Sequence, residues 1–300
     1  MYFKNLLPYL IFLPTLAFSK VNVITTTTDL EWAVKRIGGD LVKVQSLLNG
    51  REDPHYVDAT PTFISKVANA DVFCFIGMDL EVGWAPKVLS RSGNRKVQKG
   101  GKGHCETGKN VKAIQIPKGQ ITRAMGDVHA EGNPHYHLGI SKMIEGSEVI
   151  LEALISVDPK KASVYLKNFE SMKSGLRVLK KEISELLKPI KKTNFMQYHK
   201  EFSYFFEEYG IKSLGAVEAV PGVPPSAGRI ARVSFRAKRF KVKAVLGSLT
   251  SPKRVLNKIN ESVGIKTLQL PLSIIKNSKY NTYESHQKFL AESLLEVARE

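Results

Sequence analysis

Apolar positions recur along the chain at two different spacings. Short β-branched runs at 21–24, 42–48 and 71–76 predict strands, while 30–37 and 62–68 carry the three-to-four spacing of amphipathic helices between them. Strand and helix in alternation predict an α/β layer built on a mainly parallel sheet. The same pattern returns downstream, with strands expected at 244–246 and 267–271 and helices at 252–263 and 283–298. Between the two halves, Asp158 as N-cap and Pro159 at the first helical position open a stretch ending near Pro189. In it Leu166, Phe169, Met172, Leu176, Leu179, Ile183 and Leu186 follow one another at steps of 3 or 4. About 30 helical residues would span roughly 45 Å, which predicts a strut joining two lobes. By contrast, 90–108 is rich in Gly, Lys and Ser without periodicity and reads as a surface loop, with 111–116 as one more short strand.

The expected organisation is therefore a leader at 1–19, an N-terminal α/β lobe at 20–157, the linking helix at 158–189 and a C-terminal α/β lobe at 190–300. The leader rests on Lys4 followed by the apolar run Leu6 to Phe18, with Ala17 and Ser19 as small residues before a cleavage point near Lys20. Interrupted by Pro8 and Pro14, that run is shorter than the roughly 20 residues of a spanning helix. No cysteine stands near the cleavage point, so a periplasmic protein without a lipid anchor is expected.

Composition narrows the chemistry. A hydrophobic share of 43% allows a buried core and excludes disorder for the chain as a whole. The 45 Lys+Arg against 28 Asp+Glu give a net charge of +17, with a run of cations and no acid between Arg229 and Lys243. Such a run suits an anionic surface or a docking partner, or is simply a solvated face; export argues against nucleic acid. Two cysteines, Cys74 and Cys105, supply neither a disulfide framework nor a CxxC knuckle, and Cys74 inside an apolar strand reads as an inert core residue. Metal chemistry must then rest on histidine and carboxylate.

The 7 histidines are not equivalent. His55 follows Asp53-Pro54 at the end of a predicted strand, where α/β sheets present ligands. His129, His135 and His137 crowd into the segment 126–138, and His199 lies in Gln197-Tyr-His-Lys-Glu-Phe-Ser-Tyr204 before an aromatic helix. Acids surround them: Glu52, Asp53 and Asp58 near His55, Asp127 and Glu131 near the middle group, Glu201, Glu207 and Glu208 near His199. In a basic protein, histidines set among carboxylates favour a cation as ligand. His104 beside Cys105 reads as part of the solvated loop.

Five stretches in order resemble the metal-binding solute receptors of ABC transporters, the zinc/manganese cluster A-I or TroA/ZnuA-like family. They are Asp53-Pro-His-Tyr-Val-Asp-Ala-Thr-Pro61, Ala70-Asp-Val-Phe to Gly77-Met-Asp-Leu-Glu81, Gly126-Asp-Val-His to Gly132-Asn-Pro-His135, His199-Lys-Glu-Phe-Ser-Tyr204 and Pro221-Gly-Val-Pro-Pro-Ser226. The resemblance implies metal ligands at His55, His135 and His199, in a cleft between two lobes joined by the long helix. It implies a monomeric periplasmic receptor, not an enzyme, that hands a divalent ion to an inner-membrane permease. Three imidazoles suit zinc, with copper and nickel chemically possible, whereas manganese or iron would draw on more oxygen. The family's fourth ligand, often an aspartate, belongs to the segment aligned with Leu270-Pro-Leu-Ser-Ile274, which has no carboxylate. His137 stands where relatives commonly carry an aromatic residue and is a spare ligand or an outer partner; His129 is expected to be an outer partner, and Arg229 replaces a frequent histidine. Two other functions fit the same residues: an exported zinc hydrolase with Glu201 or Glu131 as base, although no HExxH pairing is present, and an adhesin or scaffold with a structural metal.

Overall fold

The computed structural model describes residues 19–117, 129–218 and 222–299; the leader thus lies outside the described residues, apart from Ser19. The first sheet is built from β1 (Val21–Thr25), β2 (Val42–Ser46), β3 (Val72–Phe75) and β4 (His104–Glu106), all parallel, in the order β2-β1-β3-β4. Crossing over between them are α1 (Thr28–Gly38), α2 (Pro61–Ala68) and α3 (Ala85–Ser92). β1 is flanked on both sides, so it is almost wholly buried and can afford β-branched residues on both faces.

After α4 (Ile140–Val157) and α5 (Ala162–Leu186), a second parallel sheet repeats the plan. It contains β5 (Asn194–Gln197), β6 (Lys212–Ala216), β7 (Ala244–Ser248) and β8 (Lys266–Leu270), in the order β6-β5-β7-β8. Its helices are α6 (Ser203–Tyr209), α7 (Ala227–Arg239), α8 (Lys253–Val263) and α9 (Tyr283–Arg299). Two mainly parallel lobes flanked by helices and joined by one long helix are thus what the chain forms.

The linking helix differs from a free strut. At 25 residues it spans roughly 37 Å. Its buried face is Tyr165, Phe169, Met172, Leu176, Leu179 and Ile183, and Leu166, expected on that face, is 48% exposed. A 3-10 turn at Pro159–Lys161 precedes it, and Asp158 accepts a hydrogen bond from the Tyr165 hydroxyl (3.2 Å) rather than capping the helix with its side chain. One apolar cluster runs from Val23 and Ile37 through α5 to Phe195, Leu246 and Tyr283, so the two lobes share a core.

The region 90–108 corrects the expectation of a loop. Its start completes α3 and its end is the edge strand β4, where His104 bonds the Val97 carbonyl through Nδ1 (2.9 Å). Register places Cys105 opposite Cys74, with Cα atoms 4.4 Å apart, and the two are joined in a disulfide. Cys74 is therefore not an inert core residue; a pairing partner 31 positions away could not be read from one apolar strand. The segment 111–116 forms no strand, and Gln115 within it takes a φ of +57°, outside the extended region. The basic stretch is mostly α7, which buries Ile230, Val233 and Ala237 and exposes Arg232, Arg236, Lys238 and Arg239 together with Phe235. Among the described residues no helix is long and apolar enough to cross a membrane.

Candidate metal centre

Loops at the carboxyl ends of strands converge where the lobes meet, the place where open α/β sheets present ligands. The loop after β2 carries Asp53-Pro54-His55. Asp53 Oδ1 accepts from the backbone N–H of His55 (3.0 Å) and meets the ring Nδ1 of the same residue (2.7 Å). Buried Trp84 pins this loop by donating its indole N–H to the Pro54 carbonyl (2.8 Å). Asn133-Pro134-His135 repeats the device: Asn133 Oδ1 takes the backbone N–H of His135 at 2.9 Å and its Nδ1 at 3.0 Å. Proline between the two fixes φ, the Asx side chain closes the turn, and one oxygen sets both backbone and imidazole.

His199 follows β5 and uses a distant partner. Its Nδ1 lies 2.9 Å from Glu218 Oε2, and Glu218 is brought alongside because its backbone N–H bonds the Tyr198 carbonyl (3.0 Å). Arg229 of α7 secures the end of β6 by donating to the carbonyls of Ala216 and Val217 (2.7 and 3.0 Å). In each of the three histidines, then, Nδ1 is engaged by an oxygen, while the Nε2 of His55 meets the Nε2 of His129 at 3.1 Å. One ring nitrogen from each lies within 4.8 Å of the other two. His135 Nε2 is buried with no hydrogen-bond partner in the protein, as are His137 Nδ1 and His286 Nδ1.

Electrostatics agree with a cation site. Burial, reinforced by the neighbouring imidazoles, pushes His135 well below the usual histidine range, which keeps it neutral with its lone pair available. Burial works the same way on His129, down to about 3. At His199 burial is outweighed by the Glu218 hydrogen bond and the charges of Glu201, Glu218 and Asp53, so its affinity for positive charge rises. Burial of Asp53 is likewise outweighed by its bond and charge interaction with His55, which hold the carboxylate below its ordinary range.

The four remaining histidines do not all stand alike. His129 touches the cluster through His55, Nε2 to Nε2 at 3.1 Å, while Glu131 is exposed. His137 donates from Nε2 to the Leu272 carbonyl (3.1 Å), so it ties the lobes together beside the cluster. His286 does the same within the C-terminal lobe, to the Pro271 carbonyl (2.9 Å), and His104 stands apart in β4. Part of the 126–129 motif, and Pro221, lie outside the described residues. Sequence reasoning missed Asn133 and Glu218 as histidine partners. The repeated Asx-Pro-His tripeptide was the available signal for Asn133, and none existed for Glu218.

Residues 23–297 match the family described as zinc-uptake complex component A, periplasmic. The chain belongs to this family of extracytoplasmic proteins. It is 25% identical over 288 residues to the zinc-binding lipoprotein AdcA of Streptococcus pneumoniae serotype 4, covering 93% of this chain and 55% of AdcA. The chain thus spans about half the length of that relative. The high-affinity zinc uptake system protein ZnuA of Bacillus subtilis is 26% identical over 254 residues, covering 83% of this chain and 77% of its own. Among solved structures, a crystal structure of ZnuA superposes with a TM-score of 0.77 at 20% identity, covering 93% of this chain and 99% of the other, which supports the two-lobed fold.

Proposed function

We propose that this member of the zinc-uptake family is the solute receptor of an ABC uptake system, and that it binds one divalent transition ion, zinc, between its lobes. His55, His135 and His199 are the ligands. The observation that carries this reading is the convergence of three imidazoles within 4.8 Å, each with Nδ1 held by an oxygen of Asp53, Asn133 or Glu218. Outer partners of this kind fix the tautomer and raise the basicity of ligating imidazoles. An all-nitrogen set favours zinc over manganese and iron, which prefer oxygen. The ion is cargo, handed to an inner-membrane permease, and no bond in it is made or broken. The names AdcA and ZnuA, a zinc-binding lipoprotein and a zinc uptake protein, support the same cargo.

In this reading residues 1–19 are a leader released near Ser19, 20–157 and 190–300 are the lobes, 158–189 joins them, and the exported protein is a monomer without lipid. Elemental analysis and chelator competition on the purified protein test the site. One zinc per chain is expected, lost when His55, His135 or His199 is replaced by alanine. Tight stoichiometric binding that survives all three replacements overturns the proposal.

A further inference from the structure

Three imidazoles leave a tetrahedral ion one ligand short. The segment 270–274, to which the family resemblance assigns a fourth ligand, is committed elsewhere in this chain. The Pro271 carbonyl accepts from His286, the Leu272 carbonyl from His137, and the Ile274 carbonyl from the Thr28 hydroxyl at 2.6 Å. The Ile274 N–H donates to Asp29 (3.3 Å), and buried Ser273 bonds the same carboxyl group. The stretch 270–274 carries no carboxylate, and its carbonyls at Pro271, Leu272 and Ile274 are engaged within the fold.

On another side of the cluster the geometry is different. With its Nδ1 donating to Asp53, His55 presents a lone pair at Nε2, and the Nε2 of His129 lies 3.1 Å from it. Two nitrogens bound to one tetrahedral zinc at 2.0–2.1 Å are roughly 3.3 Å apart, so the observed pair already stands at about the edge length of such a site. The ring centroid of His129 lies 6.5 Å from that of His135, against 5.2–6.0 Å among His55, His135 and His199; His129 stands outside the group of nitrogens within 4.8 Å of one another and adjoins it through His55, so a small rotation of its ring would be needed to join them. The backbone holds His129 there: its carbonyl accepts from Gly132 (3.2 Å) in a turn that Gly132 closes at a φ of +108°, and Ala130 N–H donates to Asp79 (3.3 Å).

We propose that His129 is the fourth metal ligand of this chain, so that the ion sits among four imidazoles instead of three imidazoles and a carboxylate. This rests on His55, His135 and His199 being ligands. The substitution of nitrogen for oxygen makes His129 a specificity-determining residue, sharpening discrimination against manganese. Glu201 is the rival donor: it is buried, lines the cavity of His55 and His199, and has an unpartnered Oε2.

The test compares the full protein with its His129→Ala, His129→Gln and Glu201→Gln variants, using zinc affinity by chelator competition, the zinc-to-manganese affinity ratio and the visible spectrum of the cobalt(II) form. Both His129 variants are expected to lose about 100-fold or more in zinc affinity, the upper end of what even an outer partner of a ligand supplies, and to narrow the zinc-to-manganese ratio. Their cobalt spectrum should change with the loss of a nitrogen ligand, which a merely supporting role for His129 would not produce. Wild-type affinity and cobalt spectrum in the His129 variants overturn the proposal, as does a loss confined to Glu201→Gln, which would assign the fourth position to the carboxylate. Zinc retained in the His55, His135 and His199 alanine variants would instead overturn the three-histidine site itself.

Discussion

Asp53 separates charge from geometry in the preparation of the site. Its Oδ1 holds the backbone N–H of His55 at 3.0 Å and the ring Nδ1 at 2.7 Å, so Asp53→Ala removes both constraints from one proposed ligand. Outer partners of ligating histidines are worth about 10- to 100-fold in metal affinity, or roughly 1.4–2.7 kcal/mol. Asp53 belongs at the upper end, because one atom sets the turn, the tautomer and the ring. Asp53→Asn keeps the acceptor and removes the charge, so it should lose only about tenfold. The measurement is competitive zinc titration against a chromophoric chelator, with circular dichroism of the metal-free variants as a control for folding. If both variants bind within about twofold of wild type, an estimate far below the range for an outer partner, then the carboxylate does not prepare His55. Equal losses in the two variants would assign the whole effect to charge.

Two further predictions concern the frame around the site. Replacing Cys74 and Cys105 together by alanine opens a link spanning 31 positions, and loop-closure entropy then predicts a loss of about 3–4 kcal/mol in urea unfolding; two titratable thiols in the native protein would contradict the bond. At Glu31 the burial that would raise the carboxyl is outweighed by hydrogen bonds and charge from Lys276 and Lys35, so its folded pKa is lowered below 4.5. Its stabilisation is therefore present above pH 4.5 and is lost as pH falls through the folded value, so Glu31→Gln should be less stable than wild type at neutral pH and converge with it in acid. A stability difference that persists unchanged into acid would refute the assignment.

Much of the frame was legible because each strand and helix advertises itself within a few residues. Val21–Thr25, Thr28–Gly38 and Lys253–Val263 are set by local periodicity and fell close to expectation. The edge strand at 104–106 was not legible, since its three residues carry no alternation and are defined by pairing with β3. The same reason hid the disulfide. Within α5, Tyr165 and Leu166 lie four and three residues before Phe169, so periodicity alone does not choose between them; Tyr165 is buried and Leu166 is 48% exposed. At the site, His55, His135 and His199 stood out through their motifs and are indeed brought together. Glu218 did not, because its approach to His199 is made by the pairing of β5 with β6 and not by any feature of its own neighbourhood.

That contrast extends to how the three histidines are held. His55 and His135 are each oriented by the residue two positions earlier, so their rings are prepared by local turns inside the N-terminal lobe. His199 depends on a residue 19 positions away and reaches the other two only if the lobes keep their relative position. Asn133 carries that requirement directly: while its Oδ1 orients His135, its Nδ2 donates to the Lys200 carbonyl (2.7 Å), and its own carbonyl accepts from the Tyr204 hydroxyl (2.7 Å). The backbone of 271–274 adds the bonds to Thr28, Asp29 and His137, and Tyr283 bonds the His137 carbonyl (2.6 Å). Separating the lobes would break these contacts and expose the core they share along α5, at about 25 cal/mol for each Å² of apolar surface uncovered. A segment used as a clasp in this way helps to hold the three imidazoles within 4.8 Å of one another while offering no carboxylate of its own.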